Sequence, residues 1–465
     1  MKVISIFKIK NVIRVLILSN SLIVFTQNFS KQDVISDLDY LRSSLERTHF
    51  DLYHHIAKED FVKKYNEVRM EIAEDSLSYF EVAMLFQRLV ASVNNGHTRI
   101  EFYDQVQSYV AHMDKNGTVF PLELAIEDNR VYVRRNWSDN RGIKIGSEIK
   151  SINGIPIKEV LDRIYPYVSA ERKYFRNALI ESFTFPRYYW RVFGEKNAFD
   201  VEISEQNSLK RIKIKAIEAN TYESKWKSII KNNRVLEFLS ASVAYLRPGS
   251  FGGDLDKYKK FIDSSFTEIN KQNYSDLVID LRNHSGGDDI YGDYLVSYFA
   301  DKPFQWNSKF QLKTSSLLKE NVIKTKDTTN VYWQAFLNHK NGEIFNYNFS
   351  PFEPQEKSKR FKGKVYVLVN RHSYSQSTVT AALIKDYNFG TIVGEETAEY
   401  PTLLASIFTY KLPFTGIKVD VPKGKIYRIN GEESRNGLIP QIIIRDHLLD
   451  EKDEIVEGLL KRLKR

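Results

Sequence analysis

The stretch VYVLVNRHSYSQS, residues 365–377, joins an apolar strand to three serines at every second position. The segment that follows, STVTAALIKDY, predicts a helix beginning near Ser377. Ser373, Ser375 and Ser377 therefore lie between a strand and a helix start. Two interpretations fit this position. In one, Ser375 or Ser377 simply caps the helix. In the other, a serine is a nucleophile beside the unpaired amides and positive dipole end of that helix.

Strands and helices alternate on both sides of this stretch. Upstream, ASVAYLRPG predicts a strand, LDKYKKFIDSSFTEINKQ a helix, and DLVIDLRN an apolar strand typical of a buried parallel sheet. Downstream, TIVGEE repeats the strand pattern. We therefore predict an α/β core with crossover helices over residues 217–465.

The region before this core has two different patterns. Apolar residues recur at helical spacing from Asp33 to about Ser92, so residues 27–115 are expected to form a helical domain. Residues 116–216 instead read as a β-rich domain, with two strands joined by a turn at residues 127–129. There IGSEIKSINGIPIKEVLDRI predicts a strand, an Asn-Gly turn, a short strand and a helix. This order of elements is common among small β-rich domains and does not by itself identify one kind.

The first 26 residues have the composition of a signal peptide. Lys2, Lys8, Lys10 and Arg14 precede the short apolar run VLILSNSLIVF, which is too short to span a bilayer comfortably. The alternative is a leader that is retained as a membrane anchor. The chain has no cysteine that could carry a lipid.

Composition excludes several classes of function. The 465-residue chain is 42% hydrophobic, which leaves room for two or three domains. The absence of cysteine excludes thiol catalysis and Cys–zinc sites. The net charge of +9 comes from 68 basic residues spread among 59 acidic ones, which is typical of a solvated surface and not of a nucleic-acid-binding protein. No His/Glu cluster has metal-ligand spacing, so neither a metal nor an organic cofactor is expected.

Two further segments carry candidate functional groups. In LVIDLRNHSGGDD, residues 277–289, a buried strand runs into Gly286 and Gly287, whose backbone amides could face a developing oxyanion. In NNGHT, residues 94–98, His97 follows a loop glycine where a helix gives way to a strand. Taken alone, a Gly-Gly turn is commonplace and a loop histidine is usually an ordinary surface residue.

In chain order, the motifs NGHT, IGSEIKSINGIPI, VIDLRNHSGG, VLVNRHSYSQS and TIVGEET resemble those of the C-terminal processing (tail-specific) peptidase family. The resemblance covers nearly the whole chain after the leader. It implies an N-terminal helical region, a PDZ-like domain that binds an extended peptide, and a crotonase-like (ClpP/crotonase) α/β protease core.

The family uses two catalytic designs. In one, a serine works with a lysine shortly after the GExT motif, where this chain has Tyr400; the nearest downstream lysine, Lys411, falls in a different predicted strand. In the other, which includes the tricorn core protease, the histidine of the GHT-type segment is the base. The resemblance therefore implies that Ser375 is the nucleophile and His97 the base, as in other Ser–His enzymes.

The resemblance also implies the remaining catalytic groups. The oxyanion would be held by the amide of Gln376 and one amide of Gly286 or Gly287. The tricorn-like branch has an acidic residue shortly before a G-[VI]-x-P segment, and here GEESRNGLIP supplies Glu432 and Glu433, of which we favour Glu433.

The chain departs from the family pattern at two places. The tricorn-type relay serine just before the histidine is replaced by Gly96, and the glycines expected after GEET are replaced by Ala398 and Glu399. The small Gly96 is expected to leave a space of hydroxymethyl size for a carboxylate or a water.

These observations favour an exported serine endopeptidase that cleaves peptides or unfolded protein C-terminal regions in a bacterial periplasm or outside the cell. Its partners would be such substrates and not nucleic acid, with membrane contact only through an uncleaved leader. The alternative is a catalytically inactive protein on the same scaffold that binds peptides or hydrophobic ligands. An acyl-CoA enzyme of the crotonase type is disfavoured by the leader and the PDZ-like insert. The approach of Ser375 to His97 discriminates between the first two.

Overall fold

The computed structural model of the chain describes residues 28–100, 109–205, 208–229 and 233–464, and it has a mixed α/β fold. The expected leader, residues 1–26, lies outside the described residues. Among the helices of those ranges, none is both long and apolar enough to cross a membrane.

The N-terminal part is helical, as the spacing of its apolar residues predicted. Its elements are β1 (Asn28–Ser30), α1 (Lys31–Thr48), α2 (Lys58–Glu71), β2 (Ser76–Ser78), α3 (Tyr79–Ala91) and β3 (Arg99–Ile100). The Ser30 side chain caps α1, and Ser78 forms a reciprocal capping box with Glu81 at the start of α3.

The middle part is mostly an antiparallel sheet with helices beside it. Residues 109–114 are helical. The elements that follow are β4 (Thr118–Val119), β5 (Leu122–Glu127), β6 (Arg130–Asn136), β7 (Glu148–Ile152), β8 (Ile155–Pro156), α4 (Ile157–Ile164), a 3₁₀ turn (Tyr165–Tyr167), α5 (Lys173–Glu181), α6 (Phe185–Phe193), β9 (Ala198–Glu205) and β10 (Ser208–Lys215). The sheet order is β10-β9-β7-β6-β5, with β8 on β7. Asp128 and Asn129 form the predicted β5–β6 turn with positive φ angles of 48° and 64°.

The C-terminal part alternates strands and helices. Its elements are β11 (Ile217–Glu218), α7 (Ala219–Ile229), β12 (Val235–Phe238), β13 (Val243–Arg247), α8 (Leu255–Lys271), β14 (Asp276–Asp280), α9 (Asp289–Val296), β15 (Lys309–Lys313), α10 (Ser316–Thr325), α11 (Val331–Asn338), β16 (Ile344–Asn346), β17 (Lys364–Val369), α12 (Gln376–Asp386), β18 (Thr391–Gly394), β19 (Leu403–Lys411), β20 (Lys418–Tyr427), β21 (Ile442–Ile443) and α13 (Glu454–Leu463).

Two sheets of this part determine where the loops meet. One has the order β12-β13-β14-β17-β18-β21 and is parallel from β13 to β21. Because β14, β17 and β18 are adjacent and parallel, the loops at their carboxyl ends lie side by side. The second sheet is antiparallel, in the order β16-β15-β20-β19, and β3 pairs with β20. That pairing holds the loop before β3 in place.

Two large groups of buried apolar side chains stabilise the chain. The first combines the inner faces of α1 to α3 with the parallel sheet and its helices, so that Leu38 and Leu41 belong to the same cluster as Ile279 and Val367. The second cluster contains residues from Phe120 to Ile214 and fills the middle part. The middle part thus has a buried core of its own, whereas the N-terminal helices share theirs with the α/β part.

Candidate active site

Ser375 stands at the junction between β17 and α12. The helix begins at Gln376, one residue before the predicted start, and Ser375 precedes it with φ 57° and ψ −134°. Its side chain does not cap the helix. A positive φ is unfavourable for a residue with a Cβ and persists only where the surroundings hold it. The Ser375 amide donates to Glu399 Oε2 at 2.6 Å, which helps to hold this conformation.

The other two serines of the patch have structural hydrogen bonds. Ser373 Oγ donates to the Leu281 carbonyl at 2.7 Å, and Ser377 Oγ donates to the His284 carbonyl at 2.7 Å. Both side chains are fully buried. They therefore connect the loop after β17 and the first turn of α12 to the loop after β14, and Ser375 is the serine of the patch whose hydroxyl lies beside a histidine.

That histidine is His97, which lies in the loop between α3 and β3. His97 Nε2 is 3.1 Å from Ser375 Oγ, a hydrogen-bond distance. Asn95 shapes the loop, because its Oδ1 accepts from the His97 amide at 3.1 Å and from the Thr98 hydroxyl at 2.9 Å. The two predicted residues thus meet although 278 positions separate them in the chain.

Glu399 lies on the other side of the imidazole. Its Oε1 is 3.1 Å from His97 Nδ1, and its side chain has no solvent exposure. The two atoms are close without the alignment of a hydrogen bond. Burial by itself would lower the pKa of His97, but the Glu399 carboxylate outweighs it, so the pKa is raised above its ordinary value. The arrangement is a Ser–His–Glu constellation of the kind that activates a hydroxyl.

The expected position of Glu433 was wrong. Glu433 Oε2 instead accepts from Lys425 Nζ at 2.7 Å, and about half of the Glu433 side chain is exposed. Glu399 takes the place beside His97 because it follows β18, which neighbours β17 in the parallel sheet. The sequence does contain a signal for Glu399, because a carboxylate stands there in place of a glycine of the family pattern.

The expected space beside Gly96 is also filled differently. A Cβ on Gly96 would lie 2.9 Å from a ring carbon of Phe175 and 3.5 Å from Glu171 Oε2. The Phe175 ring therefore occupies most of the space expected for a carboxylate or water. Glu171 Oε1 accepts from the Gly96 amide at 2.8 Å and from Asn95 Nδ2 at 3.0 Å. Burial, followed by the nearby charge of Glu399, raises the pKa of Glu171 to about 7. Sequence reasoning missed Glu171.

Two arginines form hydrogen bonds that hold the loops carrying Ser375 and Glu399 in place. Arg371 is buried and pairs with Glu395 through two hydrogen bonds of 2.6 and 3.1 Å, which links the loops after β17 and β18. Arg172, just before α5, donates to the carbonyls of Thr397 and Ala398 at 2.7 and 3.0 Å. The middle part of the chain thereby contacts the segment that positions Glu399.

The amides expected to hold an oxyanion differ in their availability. The Gly286 amide donates to His284 Nδ1 at 3.0 Å and is therefore occupied. The amides of Gly287 and Gln376 donate to no acceptor in the described part of the chain. Gly286 must still be glycine, because its φ is 84° and a Cβ would lie 2.5 Å from Gln376 N. The available pair beside Ser375 is thus Gly287 and Gln376.

A cavity of about 600 Å³ opens beside Ser375 and His97. Its walls are largely apolar and aromatic, and its lining residues include Trp306, Phe310, Tyr332, Phe349, Val379, Leu403 and Ile426. Its size and lining are typical of sites that bind small molecules or side chains.

A separate group of possible metal ligands lies near the C-terminus. Asp446, His447 and Glu454 each bring one ligand atom within 4.8 Å of the others. His447 Nε2 already contacts Glu454 Oε1 at 2.8 Å, and the histidine is half exposed. None of the three lines the cavity beside Ser375.

Parts of the chain are similar in sequence to known peptidases. Residues 242–444 match the model of peptidase family S41. A tail-specific protease of Haemophilus influenzae is 30% identical over 105 residues, which is 22% of this chain and 15% of that protein. The chain thus matches a small part of the length of this curated relative.

Two solved structures resemble the whole chain. Mature CPAF complexed with lactacystin has a TM-score of 0.66 at 14% identity, with 93% of this chain and 98% of that chain covered. Mature CPAF has a TM-score of 0.64 at 13% identity, with 93% and 96% covered. At this identity the likeness concerns the fold. Residues 242–444 therefore match a domain of peptidase family S41, and this match indicates a serine-type peptidase.

Proposed function

We propose that the protein hydrolyses peptide bonds with Ser375 as nucleophile, His97 as general base and Glu399 as the residue that orients His97. The observation that carries this proposal is the 3.1 Å contact between Ser375 Oγ and His97 Nε2, with Glu399 3.1 Å from the opposite ring nitrogen. This contact favours catalysis over the alternative of an inactive binding protein on the same scaffold.

The chemistry follows from the position of each group. His97 Nε2 takes the Ser375 proton as Oγ attacks the substrate carbonyl, and Glu399 stabilises the imidazolium that forms. The amides of Gly287 and Gln376 hold the negative oxygen of the tetrahedral intermediate, supported by the positive end of α12. The imidazolium then protonates the leaving amine, and a water activated by the same imidazole hydrolyses the acyl-enzyme.

The buried environment supports these roles. A carboxylate with no solvent exposure beside an imidazole interacts with it more strongly than a surface pair would. Because this interaction raises the pKa of His97, the imidazole is a stronger base than a merely buried histidine.

We also propose the domain assignment that the sequence suggested: a helical region over residues 27–115, a PDZ-like module over 116–216 and a crotonase-like protease core over 217–465. The separate buried cluster of the middle part supports its assignment as a module. An exported endopeptidase that acts on peptides or unfolded C-terminal regions in the periplasm or outside the cell is consistent with the leader-like N-terminus.

The proposal is tested by labelling the folded protein with a fluorophosphonate probe and locating the modified residue by mass spectrometry. We expect the label on Ser375, with labelling lost in His97→Ala and kept in Ser373→Ala if that variant remains folded. Circular dichroism and thermal unfolding serve as folding controls. A folded wild-type protein that takes no label and cleaves no unfolded substrate would favour the binding protein.

A further inference from the structure

A lysine that forms no ion pair with any described residue lines the cavity beside Ser375. Lys423, on β20, is 5% exposed. Its Nζ donates to Ser406 Oγ at 2.7 Å and to the carbonyls of Ser406 and Ile407 at 3.1 and 3.5 Å. No carboxylate in the described ranges forms an ion pair with it. None of these hydrogen bonds involves Ser375, so Lys423 has no part in the proposed activation of the serine.

A buried ammonium group of this kind is costly. Moving a charge out of water is unfavourable unless a nearby opposite charge compensates for it, and neutral oxygens do so only in part. The rings of Tyr332 and Phe336 lie 5.9 and 5.8 Å from Nζ and add weak cation–π attraction. Burial, with a smaller contribution from Lys326, lowers the pKa of Lys423 to about 7. A carboxylate entering the cavity would supply the missing charge and favour the protonated lysine.

The other charged groups of the cavity do not fill this role. Arg99 is already paired with Asp420 at 3.2 Å. Asp288 and Asp289 also line the cavity, at the start of α9, and burial raises the pKa of Asp289. These two acids would repel an anionic group from their own wall. Among the cations that line the cavity in the described ranges, Lys423 is therefore the one without a carboxylate partner, and an incoming carboxylate could replace its weakest acceptor, the Ile407 carbonyl at 3.5 Å.

We propose that Lys423 is a specificity residue: the cavity beside Ser375 receives a substrate group that carries a carboxylate, and Lys423 binds it. The carboxylate belongs either to an acidic side chain or to the free C-terminus of the substrate. The apolar walls formed by Trp306, Phe310 and Phe349 hold the aliphatic or aromatic part of the same substrate. This inference rests on the proposed peptidase function and names the substrate chemistry of that site.

The test uses two pairs of fluorogenic peptides. Members of the first pair differ by Glu against Gln at one position, scanned around the scissile bond, and members of the second by a free against an amidated C-terminus. We expect kcat/KM of the wild-type enzyme to favour the carboxylate member of one pair by about tenfold to a hundredfold, the range for a hydrogen bond to a charged group. The pair that shows the preference identifies the source of the carboxylate.

The variant Lys423→Met should lose this preference mainly through a higher KM for the carboxylate peptide, while its neutral partner is cleaved nearly as before. Lys425→Met is the matched control, because Lys425 lies on the same strand but pairs with Glu433 and lines a different cavity. A merely structural Lys423 would affect both members of each pair equally. The absence of any preference in the wild type, which needs no variant, would also overturn the inference.

A binding measurement distinguishes failure of the carboxylate site from failure of the proposed peptidase function. Fluorescence anisotropy with the Ser375→Ala protein measures the affinity of the same four peptides without turnover. If no peptide is hydrolysed but carboxylate peptides bind more tightly through Lys423, the peptidase proposal fails and the recognition site stands. If neutral peptides are hydrolysed and neither hydrolysis nor binding distinguishes the pairs, the recognition site fails and the peptidase proposal stands.

Discussion

Replacing Glu399 by Gln tests the proposed roles of Ser375, His97 and Glu399. Glu399 is the residue that the structure has beside His97 where the family pattern predicted Glu433. Glu399 Oε2 accepts the Ser375 amide at 2.6 Å, so the glutamine oxygen is expected to keep that position. The glutamine NH₂ then faces His97 Nδ1. An NH₂ group requires Nδ1 to be an acceptor, which moves the ring proton to Nε2, the nitrogen that must receive the Ser375 proton. The substitution therefore favours the wrong tautomer while preserving shape.

The expected loss is large because the carboxylate is fully buried. Amide replacement of the orienting acid in Ser–His–acid enzymes lowers kcat by about 10⁴-fold, which corresponds to about 5 kcal/mol of transition-state stabilisation. The pH profile should change as well. Removing the Glu399 charge leaves burial as the main influence on His97, so the pKa falls and activity should rise with pH through a lower inflection than in the wild type.

The assay is kcat/KM for a fluorogenic peptide measured across pH, with thermal unfolding as the folding control. Glu433→Gln is the matched variant, since it removes a half-exposed ion pair with Lys425 and such pairs contribute about 0–1 kcal/mol. Activity near the wild-type level in Glu399→Gln, together with collapse in Glu433→Gln, would refute the assignment and restore the family-based expectation.

Four further predictions concern turnover, the pH–rate profile and the free energy of unfolding. His97→Ala should lower kcat by about two to four orders of magnitude, whereas Tyr400→Phe, the residue at the family's lysine position, should stay near wild type in the same assay. Glu171→Gln keeps an oxygen for the Gly96 amide but removes a charge that raises the pKa of His97, so the inflection of the pH–rate profile should move down with little change in the plateau. Gly96→Ser should lower the free energy of unfolding in urea by about 1–3 kcal/mol, because its Cβ meets the Phe175 ring, and Phe175→Leu added to it should recover part of that loss. Finally, burial lowers the pKa of Lys423 to about 7, so above that pH the unfolded chain binds more protons than the folded chain. The free energy of unfolding should therefore rise as the pH increases from about 7 to about 10. Lys423→Met should lack this rise.

Much of the fold was predictable because its signals are local. Helical spacing located α1 to α3, and the apolar strands around residues 277–281 and 365–369 predicted the parallel α/β part. The motifs that resemble the family also pointed to Ser375 and His97, and each of these residues lies at a strand or helix end. These patterns depend on neighbours within a few positions, and such interactions are visible in the sequence.

The orienting carboxylate was not predictable in the same way. Glu399 follows the GEET segment (residues 394–397), whereas Glu433 lies within the GEES segment (residues 431–434), and the choice between them depends on which loop reaches His97 Nδ1. Adjacency of β17 and β18 in the parallel sheet brings Glu399 there, while Lys425 on β20 holds Glu433 by an ion pair. Strand order is a long-range property, so the family pattern alone led to the wrong residue.

By itself, the amino-acid sequence determined the α/β class of the fold and the position of the serine patch, since both follow from local spacing and residue type; the resemblance to the family added His97 as the expected base. Only the tertiary structure decided which serine hydroxyl lies beside His97, which carboxylate lies on the other side of its ring, and which amides near Ser375 have no acceptor among the described residues. It also decided that Lys423 lies buried at the same cavity with no ion-pair partner in the part of the chain that the structure describes. The physical reason is the same in each case: hydrogen bonding and charge compensation depend on atoms brought together from distant parts of the chain, and burial determines how strongly they interact.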